Sequence, residues 1–150
     1  MPTIYAILGD ANTRKSSTAR ALTGVAQRKC VTVETAAGNL EVFVQISSLQ
    51  ESKIMPADFV AEMTSGGYQN ILVTLWISQR VTSDGVYPRG VDYLQAFVAA
   101  GWTIGHVVVL GAPTLSGVPA GTPSPRFVPN SRTTPVNQIA TQVREWWGWV

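Results

Sequence analysis

The N-terminal run Thr3-Ile-Tyr-Ala-Ile-Leu8 is short and apolar, which is typical of a buried strand. A polar turn follows, Gly9-Asp-Ala-Asn-Thr-Arg-Lys15-Ser16-Ser17, and leads into the helix-like segment Thr18-Ala-Arg-Ala-Leu-Thr23. Successive backbone N–H groups in such a turn and at a helix start point into one concavity that suits a phosphate group. The candidate phosphate-binding residues are therefore Gly9, Asp10, Ala11, Asn12, Thr13, Arg14, Lys15, Ser16 and Ser17.

Three residues of this turn, Gly9, Lys15 and Ser16, match the Walker A pattern G-x-x-x-x-G-K-S/T. Through this match the chain resembles the P-loop NTPase superfamily. The resemblance implies that Lys15 holds the outer phosphates and that the Ser16 hydroxyl takes a Mg²⁺ position, so the implied cofactor is Mg²⁺ with nucleotide. Arg14 replaces the second glycine of the pattern, a residue that allows a positive φ. Arg14 must accept strain or shift the loop, and its guanidinium can itself hold a phosphate oxygen.

The composition is that of a globular protein of one domain. The chain has 150 residues, of which 45% are hydrophobic and 13% charged, so it can bury a proper core. Its formal charge is only +2 and its basic residues form no dense stripe, so nucleic-acid binding is not supported. No apolar stretch approaches the length that spans a membrane. The single cysteine, Cys30, fits a reducing compartment and predicts a cytoplasmic protein with a buried thiol.

Two runs with period-two alternation, Val31–Thr35 and Leu40–Ile46, follow the first predicted helix. The turn Ala36-Ala-Gly-Asn39 separates them, so they predict an antiparallel hairpin. A strand, a phosphate loop and a helix followed by such a hairpin look like the start of small GTPase-like domains. Within the superfamily, this is the layout that the chain resembles most.

The middle of the chain predicts a helix over Pro56–Thr64 and then a parallel strand over the continuous apolar run Asn70–Ile77, in the central part of the sheet. A polar loop, residues 78–90, follows that strand. Ligands of open α/β sheets bind at the carboxyl ends of the strands, so Arg80 and Arg89 are candidate phosphate or substrate contacts. The alternative is that both are solvated loop arginines.

The C-terminal part predicts a helix over Val91–Ala100 and a strand over His106–Leu110. A loop at about 111–133 then contains five prolines, which exclude helix and central strand. A last helix at about 135–147 ends in Trp146-Trp147-Gly148-Trp149. Three indoles at one helix end are hard to bury fully, which suggests a protein partner or self-association at this surface; the alternative is that these aromatic side chains pack on their own domain.

Together these elements predict an α/β fold with a single P-loop NTPase-like domain over residues 1–150. The predicted domain has three layers. Its mostly parallel five-stranded sheet contains one antiparallel hairpin strand, and helices cover both of its faces.

Catalysis of phosphoryl transfer needs more than a phosphate loop, because a carboxylate must hold the metal and another group must orient the nucleophile. The predicted third and fourth strands end in Gln45-Ile-Ser-Ser48 and Trp76-Ile-Ser-Gln79, which contain no acid. The guanine-reading motif Asn-Lys-x-Asp is also missing, since Gly111-Ala-Pro-Thr114 stands in its place. Catalytic residues therefore stay unknown. The acids that are candidates for the metal are Asp10, Glu34, Glu41, Glu51 and Asp84.

Three functions are compatible with this sequence. The first is a protein that binds ATP or another nucleoside triphosphate, or another phosphate-bearing small molecule, with weak or no hydrolysis. The second is a small kinase-like or NTPase enzyme whose metal carboxylate comes from an unexpected place. The third is a degenerate P-loop domain that binds no nucleotide and acts as a protein interaction or assembly module.

Overall fold

Eight strands and four α-helices form the protein, whose computed structural model describes residues 1–150. One 3-10 turn, Ser131–Thr133, precedes the last helix. In chain order the elements are β1 (Thr3–Leu8), α1 (Lys15–Thr23), β2 (Lys29–Thr35), β3 (Gly38–Gln45), α2 (Pro56–Gly66), β4 (Asn70–Leu75), β5 (Arg80–Thr82), β6 (Gly85–Tyr87), α3 (Gly90–Ala99), β7 (Thr103–Leu110), β8 (Arg126–Val128) and α4 (Val136–Trp147).

Six of the strands form one mixed sheet in the order β2-β3-β4-β1-β7-β8. The pair β2 and β3 is antiparallel, as the hairpin pattern predicted, and all other neighbours are parallel. The predicted α/β fold with a mostly parallel sheet is therefore confirmed. The predicted number of five strands is wrong, because the sixth strand, β8, lies within the segment assigned to the proline-rich loop.

The first strand occupies the middle of the sheet, between β4 and β7. Its side chains alternate between two hydrophobic clusters: Ile4, Ala6 and Leu8 belong to one, and Ile7 belongs to the other. All four are completely buried. The turn that follows β1 therefore leaves the sheet from a rigid, central position, with β4 and β7 on its two sides.

The helices divide between the two clusters. Residues of α2 and α3, such as Phe59 and Phe97, pack in the first cluster with alternate residues of β1 and β4. Residues of α1 and α4, such as Leu22 and Val143, pack in the second. The helix α2 begins with Pro56 and ends where Gly67 takes a left-handed φ of 70°, a common helix stop. None of the four helices combines the length and the apolar character that a membrane crossing requires.

Two segments predicted as loops contain strands. Residues 78–90 include the small antiparallel hairpin of β5 and β6, in which Val81 pairs with Val86. The proline-rich segment at about 111–133 includes β8, which pairs with the end of β7 at the edge of the sheet. Both strands have only three residues, which is too short for alternation of polar and apolar residues to be recognised in the sequence. Prolines flank β8 rather than interrupt it, at Pro125 and Pro129, so they do not prevent its pairing.

For the C-terminal tryptophans the structure favours the alternative of packing on their own domain, whereas the prediction of a buried Cys30 is wrong. Trp147 and Trp149 are buried in their own domain, where both rings pack against Tyr5, and only Trp146 is partly exposed. The surplus of exposed indoles that suggested self-association is thus largely absent. Cys30 is exposed rather than buried, because it lies at the exposed start of the edge strand β2.

Candidate functional site

The turn between β1 and α1 contains two residues in the left-handed region, Asn12 at φ 64° and Arg14 at φ 70°. The Thr13 hydroxyl donates to the Asp10 carbonyl at 2.8 Å, which closes the turn on itself. The backbone N–H of Gly9 donates to the Leu75 carbonyl at 2.9 Å and thereby fixes the start of the turn to β4. The turn is therefore held in one shape by its own contacts.

Glycine is required at position 9 because there is no space for a side chain. A Cβ atom at Gly9 would lie 2.2 Å from the Thr13 hydroxyl oxygen and 3.0 Å from the Leu110 carbonyl oxygen. The first distance requires Thr13 to move if a side chain is present, and the second is a tight contact with the backbone of β7. The first glycine of the Walker A match thus has a steric reason in this structure.

Arg14 accepts the left-handed conformation that the missing glycine would have taken. That conformation costs a non-glycine residue about 1–2 kcal/mol. The guanidinium compensates by donating from Nε to the Ser131 carbonyl and from Nη2 to the Arg132 carbonyl, both at 3.0 Å. Arg132 in turn donates to the Ala11 carbonyl at 3.5 Å. Two arginines therefore tie the turn to the 3-10 turn before α4, and the guanidinium of Arg14 is committed to that link.

Lys15 is the first residue of α1 and is only 5% exposed. Its ammonium nitrogen lies 3.6 Å from Glu51 Oε1, 3.5 Å from the Asp10 carbonyl oxygen and 5.9 Å from the centre of the Trp76 ring. Burial lowers the pKa of Lys15, and the charges of Glu51 and Asp10 offset part of that shift. The side chain is thus a buried cation that depends on a nearby acid for its charge compensation.

Glu51 is the acid that the structure brings to Lys15. Its Oε1 also accepts hydrogen bonds from the Ser48 hydroxyl at 2.7 Å and from the Trp76 indole N–H at 3.1 Å. Burial alone would raise the pKa of Glu51, but the Ser48 hydrogen bond and the charge of Lys15 outweigh it and hold that pKa below its usual value. Oε2 makes no hydrogen bond with the protein, so it is the free oxygen of this carboxylate.

The sequence named Glu51 only as one of five acids that were candidates for the metal. The available signal was the spacing Ser48-Leu-Gln-Glu51, in which a serine and a glutamate three residues later bond each other; the Glu51 N–H also donates to the Ser48 hydroxyl at 3.1 Å. The position of this segment depends on the buried Gln50. The Gln50 amide donates to the Trp76 and Pro88 carbonyls, both at 3.1 Å.

These residues enclose a cavity of about 260 Å³, here called the loop pocket. Its lining residues are Ala11, Asn12, Thr13, Arg14, Lys15, Ser16, Ser17 and Glu51. Gly9 and Asp10, which the sequence also named, do not line it. The Asp10 carboxylate instead accepts hydrogen bonds from the backbone N–H and the hydroxyl of Ser78, at 2.9 and 3.0 Å, and so supports the turn from outside.

The loop pocket offers backbone donors that have no acceptor in the protein. None of the N–H groups from Asp10 to Arg14 donates to a backbone oxygen, and the first backbone bond of α1 comes from Thr18 to the Arg14 carbonyl. The N–H groups of the first helical turn, including those of Lys15 and Ser16, are therefore unpaired, as at any helix start. A row of free donors around a buried cation is suited to an anion.

The oxygen donors of the loop pocket fit Mg²⁺ that arrives with a phosphate ligand. The Ser16 hydroxyl donates to the Ile46 carbonyl at 3.1 Å, which leaves its oxygen lone pairs free. Glu51 Oε2 supplies a second oxygen in the same lining. Mg²⁺ usually takes one or two protein oxygens and completes its shell with water and phosphate. No group of three His, Cys, Asp or Glu side chains could hold a metal ion by itself.

Neither of the two arginines predicted after β4 lines the loop pocket. Arg80 lies behind it, where its guanidinium donates to the Gln50 carbonyl at 3.1 Å and stacks 5.9 Å from the Trp76 ring centre. Arg80 therefore supports the segment that carries Glu51. Arg89 pairs with Asp92 at 3.2 Å at the start of α3 and belongs to a different cavity.

Comparison of the chain with protein-family models, with curated proteins and with solved structures finds no match of any of the three kinds. The loop pocket is therefore the basis on which a function can be assigned.

Proposed function

We propose that this protein binds ATP or another nucleoside triphosphate, with Mg²⁺, through the loop pocket and hydrolyses it weakly or not at all. The observation that supports this proposal is the combination of a buried Lys15 with unpaired N–H groups at the start of α1. The N–H groups have no acceptor in the protein, and Lys15 has only the Glu51 carboxylate as an anionic partner, so a phosphate group could contact both. The outer phosphates would lie against Lys15 and the N–H groups, and the rest of the nucleotide would extend outward.

Two details favour binding over the nucleotide-free module that the sequence also allowed. A loop that had lost its ligand would not need to keep Lys15 buried in the pocket lining, at the cost of desolvating its charge. Arg14 does not replace the ligand either, since its guanidinium bonds the Ser131 and Arg132 carbonyls. The left-handed turn is kept even though Arg14 has replaced the glycine.

Weak hydrolysis is supported by the state of Glu51, the acid nearest the expected phosphates. A general base works best with a pKa near neutrality, whereas the environment of Glu51 holds its pKa below the usual value. Its Oε1 is also occupied by Ser48, Trp76 and Lys15. With Ser16, Glu51 would hold Mg²⁺, which supplies charge neutralisation for the phosphates when bound. The kinase-like or NTPase alternative would require Glu51 to leave these contacts.

We also propose that residues 1–150 form one three-layer P-loop NTPase-like domain and that the protein is located in the cytoplasm. The antiparallel pair of β2 and β3 supports the small GTPase-like layout, although β4 separates β3 from β1 in the sheet. Because the segment after β7 lacks the guanine-reading motif, ATP is favoured over GTP.

The experiment is a calorimetric titration of ATP and of GTP, each with and without Mg²⁺, into the wild-type protein and into Lys15→Ala. The expected result is binding of ATP with Mg²⁺ that weakens about 30-fold or more in the variant, the loss of about 2 kcal/mol expected for a charged contact. Lys53→Ala is the matched control, since Lys53 is an exposed lysine that pairs with Asp84. Unchanged binding in Lys15→Ala, or no heat with any nucleotide from folded wild-type protein, would contradict the proposal.

A further inference from the structure

A second cavity, of about 520 Å³, lies beside β7, the start of β8 and the end of α4. We call it the tryptophan cavity. Its lining residues are His106, Val107, Pro123, Ser124, Pro125, Arg126, Trp146 and Trp147. It shares no lining residue with the loop pocket. Its size is within the range of small-molecule sites in proteins.

The charge of this cavity is unbalanced. Arg126 is exposed, and its side chain makes no ion pair or hydrogen bond with the protein; its guanidinium carbon lies 5.8 Å from the centre of the Trp146 ring. No aspartate or glutamate is among the lining residues. The other basic group, His106, is half-buried, and burial lowers its pKa, so it contributes a neutral ring at neutral pH. The cavity therefore presents one positive charge that has no acidic partner.

Aromatic surface and an unpaired donor accompany this charge. The imidazole of His106 stacks on the Trp147 indole with ring centres 6.0 Å apart and an interplanar angle of 30°. Trp147 is only 6% exposed, and its indole N–H is buried without an acceptor in the protein. A buried donor without an acceptor costs about 1–3 kcal/mol.

The part of the lining that comes from the segment before β8 has a restricted backbone. Pro123 and Pro125 fix two φ angles in the short segment that leads into β8. Because β8 is itself paired with the end of β7, both sides of the cavity are formed before a ligand arrives. A preformed site loses little entropy on binding.

We propose that the tryptophan cavity binds a small planar aromatic anion, that is, an aromatic ring that carries a carboxylate or a phosphate. The ring packs against Trp146, the anionic oxygens contact the Arg126 guanidinium, and the rest of the molecule lies along His106 and Trp147. This ligand is separate from the nucleotide of the loop pocket, and the two sites bind independently.

The test uses nuclear magnetic resonance of the full chain labelled with ¹⁵N, in the Lys15→Ala background so that binding of phosphate at the loop pocket is weakened. The indole N–H signals of Trp146 and Trp147 are followed during titration with phenylacetate, phenyl phosphate, phenylacetamide and acetate. The expected result is saturable shifts of these two signals with phenylacetate or phenyl phosphate. Phenylacetamide lacks the charge and acetate lacks the ring, so both should bind at least about tenfold more weakly.

Two variants assign the binding to named groups. Arg126→Gln should weaken the aromatic anions about tenfold, and Trp146→Leu should weaken all ring-containing probes. Arg20→Gln, a change at an exposed arginine of α1, is the control and should have no effect. Binding of only one of the two anions would identify the acidic group as carboxylate or phosphate. No saturable shift with either anion, or equal affinity in Arg126→Gln, would overturn the proposal.

Discussion

Lys15 and Arg126 each line one of the two cavities, and each lies close to a tryptophan ring at nearly the same distance. Lys15 Nζ is 5.9 Å from the centre of the Trp76 ring, and the Arg126 guanidinium carbon is 5.8 Å from that of Trp146. Their surroundings differ. Lys15 is buried beside Glu51 and the Asp10 carbonyl, whereas Arg126 is exposed and has no acidic partner.

The difference shows that burial determines whether a cationic side chain requires protein oxygens to compensate its charge. A buried ammonium loses its hydration, so it persists only with compensating oxygens, which here come from Glu51 and the Asp10 carbonyl. An exposed guanidinium keeps its water and needs only the ring beneath it. An anion at Lys15 must therefore share the cation with Glu51, while an anion at Arg126 meets no competitor.

The largest expected effect is that each of two variants weakens the binding of one ligand and leaves the binding of the other unchanged. Lys15→Ala should weaken binding of ATP with Mg²⁺ by about 30-fold or more and leave phenylacetate binding unchanged. Arg126→Gln should weaken phenylacetate by about tenfold and leave ATP unchanged. Calorimetry of both ligands with both variants measures the four affinities. If one variant weakened both ligands, the two cations would belong to one coupled site and the comparison would fail.

A smaller effect is expected at Arg14, which links the loop pocket to the segment before α4. Arg14→Ala removes the bonds to the Ser131 and Arg132 carbonyls but keeps the left-handed strain, so it should destabilise the fold by about 1–2 kcal/mol. Arg14→Gly removes the same bonds and relieves about 1–2 kcal/mol of strain, offset in part by about 0.5–1 kcal/mol of backbone entropy. Urea unfolding should thus find the glycine variant the more stable by about 0.5 kcal/mol or more. Equal stabilities would mean that the strain at this φ is no larger than the backbone entropy that glycine costs.

The smallest expected effect is a change in the acid sensitivity of folding. The pKa of Glu51 is lower in the folded protein than its ordinary value of 4.5. Its ionised form therefore stabilises the fold above that pH, and this contribution is lost as the pH falls through the folded pKa. Glu51→Gln should be less stable than wild type at neutral pH and should lose less stability on acidification. Glu62 and Asp84 also have lowered pKa values, so they contribute to the acid sensitivity of both proteins. The quantity to measure is therefore the difference in the free energy of unfolding between wild type and variant, at each pH. A difference that stays constant with pH would contradict the Lys15–Glu51 pairing.

Much of the fold was predictable from local patterns. The apolar run of β1, the alternating hairpin of β2 and β3 and the continuous apolar run of β4 are each long enough to show their period. Helices α2, α3 and α4 begin or end within two residues of the predicted positions. The β5–β6 hairpin and β8 were missed because three residues show no period, and β8 depends on pairing with a strand far away in the chain.

The candidate site was predictable only where it is contiguous in sequence. Residues 11–17 line the loop pocket together, as the strand, turn and helix pattern predicted. Glu51 was not assigned because its place beside Lys15 depends on tertiary contacts, above all the hydrogen bonds of Gln50 to the Trp76 and Pro88 carbonyls. The role of Arg14 was left open for the same reason, since its partners lie more than a hundred positions away in the chain.

The most direct measurement of the central claim is a map of backbone amide shifts of the ¹⁵N-labelled protein during titration with ATP and Mg²⁺. Binding in the loop pocket predicts that the largest shifts fall on the amides of residues 11–17, because those N–H groups gain a phosphate acceptor, and on the amide of Glu51, whose side chain lines the same pocket. The amides near Arg126 and Trp146 should stay unchanged. Saturable shifts that lie elsewhere and spare residues 11–17, or no shifts at millimolar nucleotide, would contradict the claim.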